Sequence, residues 1–306
     1  MSNYKGWSKW YSFEDLYTFN GLVHPKSKSG MVTTIDTVKG GLAQWNGFSE
    51  IEGSDIYFKD RNKLESPAEI PCGIYMLRIK GKLPEKDPPK SGFYDYIGLA
   101  GGIMNSSWRS NGFNSRIPDD HFRKLINIPK RGDVIAAIKK AYPNDVPKRS
   151  DAIAALAKQN LSYKEYRDFF KGNYSIESNF KIFFECNQER LGSTKDVQDF
   201  FNSNVRIRFN FLKRNLRDSN DKYIRYENIY KIKGKLRNEV LQGNKKSLEE
   251  SKIYYNNETN FLERLNKAEG LSLQAYFTKY KEYPFLNDRD EVTYALEGFE
   301  NILDED

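Results

Sequence analysis

Two short segments of alternating polarity, joined by a stretch that breaks both helices and strands, constrain this chain most. GIYMLRIKGKL begins at Gly73 and alternates in side-chain character from Ile74 through Ile79, as a half-buried strand does. PEKDPPKSG, residues 84–92, is a turn of proline, glycine and charge, and FYDYIGLA returns as a second strand. The pair predicts an antiparallel hairpin from Gly73 to Leu99. A third strand is predicted at VRIRFNFL, residues 205–212, where Val205, Ile207, Phe209 and Phe211 alternate with Arg206, Arg208 and Asn210. KIFFE, residues 181–185, also reads as a strand.

The rest reads mainly as helix. RIPDDHFRKLINI carries a helix start, with Pro118 near the first turn and Asp119 and Asp120 beside the N-terminus. RGDVIAAIKKAY, RSDAIAALAKQN and SYKEYRDFFKG follow as helices opened by Asp or Ser. KYIRYENIYKIKGKLRNEVLQG reads as a helix after the third strand. The remainder from residue 245 holds two or three helical stretches, including LEESKIYY and NFLERLNKAEG. Residues 1–70 are Gly-rich and weakly patterned, with strand-like pieces at MVTTIDTV and SDIYF. The expected class is α+β: a small antiparallel sheet with helices between and after its strands.

Composition removes whole classes of function. With 306 residues, 20 Tyr, 20 Phe and 4 Trp, the chain has the length and the aromatic content for a packed core. No apolar run approaches the ~18 residues that span a bilayer. The first residues lack an uninterrupted apolar stretch and carry acids early, so a cytoplasmic, reducing setting is expected. Cys72, Cys186, His24 and His121 are the only thiols and imidazoles, too few and too scattered for a structural zinc site.

The net charge of +7 points toward a polyanionic partner, and its distribution says more. Between Arg206 and Val240 eleven Lys or Arg face four acids; residues 121–150 hold eight basic residues against Asp133 and Asp145. From residue 245 the balance reverses, with fourteen acids and eight bases.

The triplets Gly73-Ile74-Tyr75 and Tyr96-Ile97-Gly98, one on each strand of the expected hairpin, resemble the signature of the GIY-YIG nuclease superfamily. The resemblance covers roughly residues 71–245. It implies a small three-stranded antiparallel sheet flanked by helices, and hydrolysis of phosphodiester bonds in double-stranded DNA with Mg2+, for which Mn2+ is a substitute. By the same resemblance Tyr75 is the general base and Tyr96 orients the water or the phosphate. Arg116 clamps the phosphate, with Arg109 and Arg123 as substitutes, and His121 relays the proton or contacts phosphate. Glu227, on the helix after the third strand, holds the metal. Asn238 follows it at about the family's spacing, with Asn244 next. Arg109, Arg123, Lys124, Arg206, Arg208, Lys213 and Arg214 are the implied DNA contacts.

Three features depart from the compact members of that superfamily. Tyr75 and Tyr96 are twenty-one residues apart, so the hairpin loop is long. Arg116 and His121 are five residues apart where four is usual, with Pro118 between them. About eighty residues separate His121 from the third strand, enough for a helical insertion at about 125–200. Restriction endonucleases of the superfamily tolerate such insertions. The expected organisation is therefore an N-terminal extension (1–70) that contacts DNA, a nuclease core with its insertion (71–245), and an acidic helical C-terminal region (246–306). The expected function is a type II restriction enzyme. It would work as a homodimer, since closed two-fold dimers suit palindromes, beside a DNA methyltransferase of the same site. A structure-specific repair or mobile-element nuclease is the near rival; a non-catalytic nucleic-acid-binding protein or an interaction protein using the acidic tail are the distant ones.

Overall fold

The computed structural model describes residues 7–22, 42–46, 72–101, 112–129, 162–170, 179–212, 245–288 and 292–293. In it the hairpin forms as strands β4 (Gly73–Ile79) and β5 (Tyr94–Ala100), and the third expected strand as β6 (Val205–Phe211). All pair antiparallel, with Tyr75 opposite Gly98 on one side and opposite Phe209 on the other. A fourth strand, β1 (Tyr11–Ser12), joins the outer edge of β6, giving the order β1-β6-β4-β5. Strands β2 (Tyr17–Phe19) and β3 (Ala43–Trp45) make a separate two-stranded sheet. The class is α+β with antiparallel sheets.

β4 is covered on both faces rather than half-buried as its pattern suggested. Tyr75, Leu77 and Ile79 point into one cluster with Phe113, Phe122, Phe180 and Phe201; Ile74 and Met76 point into another with Phe261, Leu265 and Tyr276. Its central place in the sheet is the reason. A middle strand has neighbours on both sides and, here, helices above and below.

On the first face, α1 (Phe13–Leu16), opened by a capping box at Ser12, brings Phe13 into the cluster. There too lie α2 (Phe113–Arg116), the π-helical turn Ile117–Phe122 and α3 (Arg123–Leu125), which run end to end. This helix starts one turn earlier than expected, at the cap Gly112, so Pro118 is interior and Asp120 sits about two turns in from the start. Helix α4 (Tyr163–Phe170) forms as expected, with Ser162 and Glu165 bonding each other's backbone at its start. KIFFE is not a strand. It lies in helix α5 (Asn179–Asn187), whose Phe180, Phe183, Phe184 and Asn187 are buried at helical spacing. A five-residue apolar window cannot separate the two periods, whereas the nine residues from Asn179 can. Helix α6 (Thr194–Asn204) carries Phe200 and Phe201 into the same cluster and runs directly into β6.

The second face is covered by α7 (Lys245–Tyr280), one 36-residue helix where separate stretches were expected. The candidate helices RGDVIAAIKKAY, RSDAIAALAKQN and KYIRYENIYKIKGKLRNEVLQG, and the strand-like MVTTIDTV and SDIYF, lie outside the described residues. Among the described residues no helix is long and apolar enough to cross a membrane.

Candidate active site

Alternation along the hairpin sends Tyr75 of β4 and Tyr96 of β5 to the same face, toward the helix that carries Arg116 and His121. The register sets Gly98 directly across from Tyr75 and two residues on from Tyr96. A Cβ at Gly98 would lie 2.5 Å from Tyr96 Cε1, 2.9 Å from Tyr75 Oη and 3.0 Å from Tyr96 Oη. Both hydroxyls therefore converge on one point, and it is the space that the glycine leaves. Gly73 has a different reason to be glycine: its φ is +137°, and a Cβ there would run into the Asn210 carbonyl of β6.

Tyr75 Oη and His121 Nε2 are 2.5 Å apart and buried. Burial pushes the Tyr75 phenol far above its usual range; the Arg116 charge pulls it down, and the carboxylates of Asp120 and Glu269 push it further up. The direction of this bond follows the His121 tautomer; with the ring proton on Nδ1, the Tyr75 phenol donates and Nε2 accepts. The imidazole is boxed by rings: Tyr96 at 4.2 Å between centroids, and Phe180 stacked at 5.9 Å with an interplanar angle of 17°. Phe113 meets Tyr75 edge-on at 5.9 Å.

The π-helical turn explains how a five-residue spacing works. A π turn bonds residue i to i+5, so it absorbs one extra residue per turn. Arg116 and His121 consequently reach the same two tyrosines despite their spacing. Arg116 Nη1 bonds Asp120 Oδ2 at 2.6 Å. Burial works to lower the Arg116 pKa, but Tyr75, Asp120 and Tyr96 together outweigh it and raise it, so the guanidinium stays charged. Arg116 is also the open side of the group: its side chain is 50% exposed, whereas Tyr75 is 0%, His121 2% and Tyr96 5% exposed. An anion arriving from solvent meets Arg116 first.

The other expected residues divide. Arg123 is buried, and its charge acts on Tyr163. Lys124 lies with Nζ 5.1 Å over the Phe180 ring. Arg206 donates to the carbonyls of Asn202 and Val205. Arg208 pairs across the sheet with Met76, on the face opposite Tyr75, and stacks between Trp7 at 4.4 Å and Trp10 at 4.6 Å. Burial and the neighbouring Arg78 lower its pKa. Arg109, Lys213, Arg214, Glu227, Asn238 and Asn244 lie outside the described residues.

The sequence reading missed Asp120 as the partner of Arg116, although their i,i+4 spacing on a helix was available. It also missed Phe180, for which no local signal existed, since its ring reaches His121 from a distant segment. Among the described residues no group of three or more His, Cys, Asp or Glu gathers as a metal cluster would. No family model matches this chain, nor does any curated protein or solved structure.

Proposed function

We propose that the chain is a Mg2+-dependent endonuclease of the GIY-YIG type, a cytoplasmic type II restriction enzyme cutting double-stranded DNA. In this reading β4, β5 and β6 are the family's three antiparallel strands, and Glu227 and Asn238 keep the roles the resemblance implies. A homodimer and a methyltransferase of the same site belong to the same proposal. One observation carries it: Tyr75, Tyr96, Arg116 and His121 gather on one face of the hairpin, where the two phenol hydroxyls converge above Gly98, His121 bonds Tyr75 and the Arg116 charge acts on Tyr75.

Mg2+ takes oxygen ligands and keeps several waters, so one or two carboxylates are a sufficient protein share. Glu227 is the assigned holder, and Asp120, the carboxylate in the Arg116 fork, is an oxygen donor beside the tyrosines. When bound, the ion polarises the phosphate and stabilises the leaving 3′ oxygen.

The chain's own residues do the rest. A phosphate approaching Arg116 replaces Asp120 in the planar guanidinium fork. Tyr75 takes a proton from the attacking water while passing its own to His121 Nε2, so no free phenolate forms in a site that disfavours one. Tyr96, its hydroxyl aimed at the same point, orients the water. His121, left as imidazolium, releases its proton once the product departs.

The burial of Tyr75 and His121 favours a second reading, a nucleic-acid-binding protein in which these rings only pack. Purified protein incubated with mixed phage and plasmid DNA, with Mg2+ or with EDTA, separates the two. Discrete fragments with Mg2+ alone are expected. Tyr75→Phe is expected to slow cleavage by about 10²–10⁴-fold with DNA binding retained. Intact DNA in every lane, Mn2+ and modified DNA included, would leave the binding protein.

A further inference from the structure

Among the described residues β5 is an outer strand, so one row of its backbone groups needs partners that no described strand supplies. The segment after α7 supplies them. Leu286 N–H donates to the Asp95 carbonyl at 2.9 Å. Ile97 N–H donates to Asn287 Oδ1 at 2.9 Å, and Asn287 Nδ2 donates back to the Ile97 carbonyl at 2.7 Å. A side-chain amide thus acts as a strand neighbour for one residue. That residue is the one between Tyr96 and Gly98.

The same segment has a second anchor. Asn179 Nδ2 donates to the Phe285 carbonyl at 2.7 Å, and Phe285 packs edge-on against Tyr94 of β5 at 5.3 Å. Asn179 immediately precedes Phe180, whose ring stacks on His121 and lies 6.0 Å from that of Tyr96. The segment therefore holds the strand bearing Tyr96 and the helix whose ring backs His121. It joins both sides of the site from outside it.

We propose that residues 284–288 form a strap that sets the spacing of the reacting groups, with Asn287 as a positioning residue. The proposal rests on the nuclease reading for its effect on rate. A shift of β5 by a fraction of an ångström moves the Tyr96 hydroxyl relative to Tyr75 and His121, and misplacements near 1 Å cost roughly 10² in rate. Edge protection alone would serve any segment that covered Ile97; the link through Asn179 to Phe180 is what ties this one to the chemistry.

The chain has 2 histidines, so His24→Gln leaves His121 as the sole imidazole for NMR. In the full chain with that substitution, Asn287→Ala is expected to shift or broaden the His121 ring signals. It should also lower kcat for plasmid cleavage about tenfold or more, with KM within about twofold. Asn287→Asp keeps the acceptor for Ile97 N–H and loses the donor, so it should fall between. It also serves if the alanine variant folds poorly. Unchanged His121 signals in both folded variants would overturn the strap. So would a kcat that falls only in proportion to unfolded protein. A wild type that cuts no DNA would sink the nuclease reading and, with it, the rate effect, while the ring signals still decide whether the strap reaches His121.

Discussion

A methyl group on Gly98 would need the volume that Tyr96 Cε1 and the Tyr75 hydroxyl border at 2.5 and 2.9 Å. The tyrosines cannot both yield, because Tyr75 is fully buried and tied to His121. Gly98→Ala is therefore expected to cost about 1–3 kcal/mol, read as a lower urea midpoint at unchanged slope. It should also slow cleavage, by spreading the two hydroxyls. At this scale the glycines and tyrosines of the two triplets were legible as strings. That Gly98 makes room for the hydroxyls was not, because the reason lies across the strand pair.

At the scale of elements, the hairpin holds itself together at its far end through a cross-strand ion pair. Arg78 sits opposite Asp95 and grips it with two bonds of 2.9 and 2.7 Å, and Tyr276 of α7 donates to the same carboxylate at 2.8 Å. Asp95 is completely buried. Asp95→Ala leaves Arg78 without its counter-charge, and denaturant unfolding should show a loss of about 3–5 kcal/mol. The π turn makes a different prediction. If it exists to absorb one residue, deleting Pro118 should turn it into ordinary α-helix and keep Arg116 and His121 on one side. Cleavage should then stay within about tenfold of wild type. Inserting an alanine after Asp119 should instead rotate His121 about 100° away and abolish cleavage. The two variants can be compared on one gel with circular dichroism as the control for folding. Local pattern foretold β4, β5, β6 and α4, where periodicity runs long enough to choose between 2 and 3.6. It misread KIFFE, where it does not.

For the whole molecule, the sheet separates two clusters of buried rings and side chains, and four of the tyrosines within them share a property. Burial pushes Tyr75, Tyr94, Tyr163 and Tyr276 all upward. The folded chain keeps these protons where the unfolded chain gives them up. Their contribution to stability is therefore full below the ordinary tyrosine pKa of about 10 and is lost as pH climbs beyond it. Urea midpoints measured from about pH 8 to about pH 11 should hold steady and then fall, and Tyr75→Phe should soften the fall. Cys72 and Cys186 form no disulfide, so reductant should not alter the curve.

The sequence by itself determined the hairpin, the third strand and the α+β class. These depend on near-neighbour rules: alternation, turn composition and helix capping act over a few residues and can be read in order. Only the tertiary structure decided that β4 is buried on both faces and that Arg208 lies between two indoles on the face away from Tyr75. The same holds for Asp120 in the Arg116 fork, the stacking of Phe180 on His121 and the pairing of Asn287 with Ile97. Each joins residues whose partners are chosen by the twist and order of a sheet or the wrap of a helix. Such choices arise from packing of the whole chain, and no window of local sequence records them.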